Sequence, residues 1–399
     1  MTNLTVIGVG GSTVSVSVGS SQNASIAAQL LGVISDQVRQ GNLTPYAYDG
    51  IGPLGAPTSP GYLIVTGPGA AALPASTTAV VDVAGGPLLL LGGTTASQVV
   101  VSDAALTYVA NSGVGTVVAS GGGSTLLTAP TGSGDHLFLT DGGHNRIFAG
   151  SGNDTIGAGA GDNLILLGTG NDLVDVTGHD RILAGSGHDT VLVARGTAVV
   201  LGGSGTLLFA NAGGSSTVLG GDGAVTASGG AGGGVYRGGS DGHNLLIGGL
   251  RATTLFGGGG GDTLISAGFG NDSLVAGRGA ETLIAGAGRD TLVGGSGRDL
   301  LTGGFGADTF IAGSGGGTMI GGAAGNHFVF LEDGSAGHFT ITDFTVGSDR
   351  IVLQGADQRQ LDAALDSQKT HGGSVTIRLE DHTTVTLLNV ARLDRSSLV

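Results

Sequence analysis

The 399-residue chain contains no cysteine and no tryptophan, two methionines and only 4% aromatic residues. Without cysteine there is no disulfide and no thiolate metal site, and neither a reducing nor an oxidising compartment is excluded. With so few large side chains, a conventional close-packed core cannot be filled. Lysine occurs once, at Lys369, and of the 15 basic residues only Arg39 precedes Arg146. No basic patch is therefore available for nucleic acid or an anionic membrane surface. The same shortage leaves no basic stretch leading into an apolar one at the N-terminus, so the expectation is export without a cleaved signal peptide. No run of eighteen apolar residues is present to cross a bilayer, which predicts no membrane insertion. Proline is missing after Pro130, all eight lying in the first third.

What the chain does have is glycine, 84 residues of it, about three times the usual ~7% share. Acids outnumber bases 30 to 15, giving a net charge of −15, so cations are the natural partners. A 40% hydrophobic content and a mean hydropathy of +0.32 are opposite to the signature of a disordered chain. A repetitive fold is the remaining option.

Before Pro130, Thr13 to Gly19 alternates valine with polar residues and predicts a strand. Asn23 or Ser25 can cap a helix whose apolar face is Ile26, Leu30, Ile34 and Val38, closed by Gly41. Residues 43–74 are rich in proline and glycine and read as an irregular linker. From Val80 to Thr128, short aliphatic runs between Gly/Ser/Thr turns read as short strands, as rungs of a solenoid would.

From Thr131 to Phe330 the sequence repeats every nine residues as G-G-x-G-x-D-x-U-x, with U a large apolar residue. Clear copies are Gly257 to Ile265 (GGGGGDTLI), Ala285 to Val293 (AGAGRDTLV), Gly294 to Thr302 (GGSGRDLLT) and Gly303 to Ile311 (GGFGADTFI). Glycines at positions one, two and four allow a tight turn, and x-U-x makes a three-residue strand. Two repeats make one coil of about 18 residues, stacked at ~4.8 Å. The predicted core is a double stack of position-eight side chains: Ile147, Ile165, Ile182 and Val200 on one wall, Ile156, Val174 and Val191 on the other. This segment resembles the RTX (repeats-in-toxin) calcium-binding family. The expected fold is all-β, a right-handed parallel β-roll or β-solenoid with a small N-terminal strand-and-helix segment and a C-terminal capping module.

A ligand pair on one side of such a roll requires position-six residues about 18 apart. Asp154/Asp172, Asp272/Asp290, Asp290/Asp308 and Glu281/Asp299 meet that spacing, while Asp172/Asp189 and Asp262/Glu281 slip by one residue. With Asp180 they form the candidate metal set. Carboxylates beside glycine carbonyls are hard oxygen donors suited to Ca²⁺ rather than zinc or copper. Aspartate is also an ordinary turn former. Stacked like charges recurring on two faces, however, are destabilising unless a cation lies between them. Between Ala198 and Thr253 position six is almost wholly non-acidic while Phe209, Tyr236, Leu246 and Leu255 keep the core pattern, which suggests a metal-free wall able to contact another copy.

Other motifs are poorer. His179 and His188 are nine apart and fall on opposite sides. Gly238 to Gly242 matches G-x-S-x-G without a strand-to-helix context, and Gly8 to Gly11 resembles a dinucleotide turn without its acidic partner. No catalytic constellation emerges, and the chain reads as a non-enzyme. After Phe330 the rhythm stops. Phe339 to Leu353 reads as two strands, Asp357 to Gln368 as a helix, and Val375 to Leu379 with Val385 to Leu388 as a hairpin. This resembles the cap and the uncleaved type I secretion region of RTX proteins. Four parts result: 1–79, 80–130, 131–330 and 331–399. The expected function is a secreted protein of the cell surface or matrix (S-layer, fibre or biofilm) that folds on Ca²⁺ and joins copies of itself through its N-terminal segment or head to tail. The alternatives are an adhesin for a surface polysaccharide or receptor and a calcium-supported extracellular hydrolase.

Overall fold

The computed structural model describes residues 2–19, 21–55, 60–93, 98–111, 113–129, 134–331 and 337–399. It divides into two compact units, Met1–Val200 and Leu201–Val399.

Each unit is a parallel β-solenoid, because every coil supplies one short strand to each of two sheets and the next coil adds its strands in register. In the first unit Phe138 lies over Ile156, Val174 and Val191 on one sheet. Ile147 lies over Ile165 and Ile182 on the other. None of these is more than 1% exposed, so the double stack of position-eight side chains is the core. In the second unit Leu246, Leu264, Leu283 and Leu301 stack against Leu255, Leu274, Leu292 and Phe310.

The solenoid begins much earlier than the glycine rhythm. Strands Thr44–Tyr48, Gly61–Val65 and Thr77–Asp82 pair in parallel on the first sheet, and Gly69–Ala72 pairs with Leu88–Leu91 on the second. Residues 43–74 are thus not an irregular linker. Of the described prolines, Pro53, Pro60, Pro68 and Pro74 lie between strands, and Pro45 is on the edge strand, where no ladder hydrogen bond is lost.

The N-terminal segment is a layer laid on that sheet. Thr2–Ile7 and Thr13–Val18 form an antiparallel hairpin whose bend contains Gly10 and Gly11 at φ 68° and 81°, so Gly8 to Gly11 is a hairpin turn and not a dinucleotide site. Helix α1, Ser21–Arg39, already runs through Asn23 and Ser25, the two expected caps. The Asn23 side chain turns instead to Asp141 (2.9 Å), whose other oxygen accepts from the Gly19 N–H (3.0 Å). Gly41, at φ 77°, follows the helix as expected. The buried stripe is Ala24, Ala27, Leu31 and Ile34, with Ile26, Leu30 and Val38 at its margin. Its neighbours are Val6, Val16 and Val18 of the hairpin and the outward Tyr62, Ile64, Ala79, Val81, Val101, Val118 and Leu139 of the sheet. The small alanines let the helix lie close to a flat sheet, and this rotates the buried face away from the one expected.

In the second unit, His338–Ile341 and Arg350–Gln354 each continue a different sheet in parallel rather than pair with each other. On the first sheet Thr384–Leu387 follows in parallel, then Ser374–Arg378 and Lys369–His371 antiparallel. On the second, Val399 exchanges hydrogen bonds with Ile351 and Leu353 (3.0 and 2.9 Å). Helix α2, Gln358–Asp366, is started by a capping box between Asp357 and Gln360.

The stacked core predicts a local cost for a single truncation. Ile165→Ala, made between Ile147 and Ile182, is expected to lower stability by about 2–5 kcal/mol in saturating calcium, measured by denaturant unfolding.

Candidate metal centre

Nine of the ten candidate side chains do one thing in common: a side-chain oxygen accepts the backbone N–H of the position-six residue one coil earlier. Glu281 is the exception, both of its oxygens accepting from the Gly277 N–H. His136 donates to Asp154 (2.7 Å), Asp154 to Asp172 (2.8 Å) and Asp172 to Asp189 (3.3 Å). In the second unit Thr253 donates to Asp272 (2.5 Å), Asp272 to Asp290 (2.7 Å) and Asp290 to Asp308 (2.8 Å). On its other side Asn244 donates to Asp262 (2.7 Å) and Glu281 to Asp299 (3.0 Å). All ten candidate residues are at most 3% exposed, which solvated turn formers would not be.

The second carboxylate oxygen divides them. Asp262, Glu281 and Asp299 accept an N–H from Gly258, Gly277 and Gly295 of their own turns (2.6, 2.7 and 2.7 Å). Asp189 and Asp180 accept from Gly185 and Gly178 (3.1 and 3.2 Å), and Asp272 from the Ser266 hydroxyl. In Asp154, Asp172, Asp290 and Asp308 the second oxygen is buried with no hydrogen-bond partner. These four form two of the pairs 18 residues apart. An unpartnered buried carboxylate oxygen is costly, and two facing each other more so.

The surroundings supply further oxygens. A Cβ on Gly303 would stand 2.5 Å from Oδ2 of Asp308, so a cradle kept clear by glycine surrounds that oxygen. Gly306, at φ 146°, brings its backbone so close to the Gly288 carbonyl that a Cβ would lie 1.5 Å from it. Among the described residues no three His, Cys, Asp or Glu side chains converge on one point. A pair of carboxylates with backbone carbonyls fits a hard cation held mainly by oxygen.

Electrostatics agree. Burial, with help from Asp154, Asp189 and Asp135, pushes Asp172 up to about 6 against the pull of its hydrogen bond from Asp154. Burial, then Asp308 and Asp272, pushes Asp290 up to about 6. Burial, with Asp262 and Asp299 adding, carries Glu281 to about 7. Asp180 is raised to about 6, and Asp189, Asp299 and Asp308 are also raised, all chiefly by burial.

Several participants lie outside the candidate set. Asn326 accepts from Asp308 N–H (2.9 Å), 18 residues earlier, and Asn326 N–H donates to Asp349 (2.8 Å), 23 residues on. Asp343 takes the N–H groups of Gly321 and Gly322 (both 2.8 Å) and ties the cap to the last repeats. At position five an exposed ladder runs the other way: Asn153 N–H to Asp135 (2.7 Å), Asn171 N–H to Asn153 (2.9 Å) and His188 N–H to Asn171 (2.8 Å). The Asx residues at 135, 153 and 171 carry that signal in sequence. His179 and His188 begin strands on opposite sheets. Ser240 of the G-x-S-x-G match lies in an exposed turn beside Asp222 and Asp241.

A parallel β-solenoid with buried, paired carboxylates in glycine turns belongs to the class of metal-binding repeat proteins. Stretches 139–174, 176–205, 238–267, 257–292 and 284–319 match the model of the RTX calcium-binding nonapeptide repeat in four copies. These stretches are RTX calcium-binding nonapeptide repeats, and repeats of this kind bind Ca²⁺. All ten candidate residues lie inside the matched stretches, whereas 206–237 in the metal-poor centre lies outside them. No curated protein matches the chain.

Two outcomes are expected. In chelator, the raised carboxylates bind protons more tightly in the fold than in the unfolded chain. The resulting penalty is absent below the ordinary carboxylate range near ~4 and complete above about 7. The unfolding temperature should therefore fall between pH 5 and pH 8 in chelator and stay nearly level in saturating calcium, followed by circular dichroism. Asp290→Asn with Asp308→Asn keeps an acceptor for each N–H but removes the charge. Calcium titration should show about tenfold or greater weakening at that site, while the variant in chelator should be more stable than the parent.

Proposed function

We propose that the protein is a secreted calcium-binding structural protein that folds on Ca²⁺ outside the cell and associates with copies of itself at the cell surface or in the matrix, as an S-layer, fibre or biofilm component. The observation that carries the proposal is the buried, unpartnered carboxylate oxygen on each of Asp154, Asp172, Asp290 and Asp308, which stand one coil apart in the pairs Asp154/Asp172 and Asp290/Asp308. Such pairs oppose folding until a cation joins them, so binding energy becomes folding energy. Asp154, Asp172, Asp180, Asp189, Asp262, Asp272, Glu281, Asp290, Asp299 and Asp308 would supply the carboxylate ligands. Secretion is proposed from the repeat family, and no helix among the described residues is long and apolar enough to cross a membrane.

The geometry redirects the mode of association. The apolar face of the N-terminal segment is already packed on the chain's own first sheet, so it is not free to join subunits. Head-to-tail contact is poorly served as well. The first edge strand carries Pro45, and the last is the three-residue Lys369–His371, with the chain's only lysine on it. Prolines, lysines and short strands are devices that keep sheet edges from pairing. Lateral contact is better supported. In the second unit the outward residues form apolar columns, Phe256, Val275, Val293 and Ile311 on one sheet and Ile247, Ile265 and Ile284 on the other.

Titrating purified protein from chelator to millimolar calcium while recording circular dichroism and light scattering tests the proposal. β-structure and large particles should rise together. Folding without particle growth would remove the self-assembly part, and no spectral response would remove the calcium-driven part.

A further inference from the structure

The two kinds of coil differ in more than charge. Between Gly61 and Asn145 the residues standing at position six are Gly61, Thr77, Gln98, Gly115 and His136 on one sheet. On the other they are Gly69, Leu88, Leu106, Thr125 and Asn145. None is acidic. Gln98, 4% exposed, does with an amide what aspartate does later: its oxygen accepts from Gly93 N–H and the Tyr108 hydroxyl (3.1 Å each), and its NH₂ donates to the Thr77 carbonyl (3.3 Å). Asn145 and Asn163 extend the pattern, each NH₂ donating to the next oxygen in the ladder, Asn163 (2.8 Å) and Asp180 (2.6 Å). A neutral amide donor stands where a carboxylate pair would need a cation.

Hydrophobic burial follows the same boundary. Coils from Gly61 to Thr140 bury an inner row that includes Leu63, Val80, Val100, Val117 and Phe138. They also bury an outer row, Tyr62, Ile64, Val81, Val101, Val118 and Leu139, beneath α1 and the hairpin. The coils of 262–308 bury the inner row only, their outward residues being in contact with solvent. The outer row ends at Leu139 because the next outward residues on that sheet, Gly157 and Asp175, offer no apolar surface to continue it.

From these observations we infer that residues 2–139 form a calcium-independent folding nucleus. It is closed by Asp141 holding Gly19 and Asn23, and the metal-dependent coils bearing Asp154, Asp172 and Asp189 stack directly on it. The inference rests on the proposed calcium-driven folding only for the behaviour of the later coils. It assigns the N-terminal hairpin and helix the task of replacing, with apolar burial, the stabilisation that metal supplies further along. The chain would then keep a folded N-terminal part at any calcium level and respond to the ion in its acidic blocks alone.

Hydrogen exchange of the full chain in chelator and in millimolar calcium, read by peptide, tests this. Amides of α1 and of 61–139 should exchange at least a hundredfold more slowly than in denaturant under both conditions, while those of 262–308 should gain comparable protection only with calcium. Asp290→Asn with Asp308→Asn should alter the calcium response of 262–308 and leave 61–139 unchanged. If 61–139 exchanges in chelator as fast as in denaturant and slows only with calcium, the nucleus is overturned while calcium-driven folding stands. If 262–308 is equally protected in chelator, calcium-driven folding itself fails and the division between the two kinds of coil fails with it.

Discussion

A single contact organises these coils: the side-chain oxygen at position six receiving the N–H of the same position one coil earlier. A solenoid turn leaves that N–H directed along the stack, with no strand partner. It must be satisfied by whatever the next coil places there. Aspartate and asparagine do so at Asp154, Asn163, Asp272 and Asp308, and the contact sets the vertical register of both sheets. Glycine makes the arrangement reachable, since stacked turns are close enough that a Cβ at Gly306 would overlap the Gly288 carbonyl.

The choice between aspartate and asparagine then decides the electrostatics. Either oxygen caps the N–H, but the carboxylate brings a second oxygen and a charge. Where the turn offers a glycine N–H, as for Asp262 and Asp299, that oxygen is satisfied within the protein. Where it does not, as for Asp290 and Asp308, the coil is left with a deficit that a divalent cation removes. Both solutions occur in one chain, so stability is distributed unevenly along it and ionic conditions act on part of the fold.

Much of this was legible in the sequence because the coil has a nearly fixed length. Ile147, Ile165 and Ile182 could be placed on one wall by counting, and Asp154/Asp172 and Asp290/Asp308 could be paired by the same arithmetic. What escaped lies where counting fails. The coils at Thr44–Tyr48 and Gly61–Val65 lack the glycine rhythm and are held by apolar burial instead. Asp349 follows Asn326 by 23 residues because the coil that starts the cap is longer. The buried stripe of α1 differs from the one expected because it answers to the sheet beneath it, a partner that no local pattern describes.

The confinement of proline to the first third bears on rates as well as edges. In an unfolded chain each X–Pro bond is cis in roughly 10–30% of molecules and exchanges over tens to hundreds of seconds. The bonds described here are all trans, and residues 131–399 contain no proline. Isomerisation can therefore delay the N-terminal coils directly, and the acidic ones only through the N-terminal coils they stack on. A chain already folded at its N-terminal part would answer a rise in calcium on the timescale of β-stacking, whereas a fully unfolded one would first wait for its prolines.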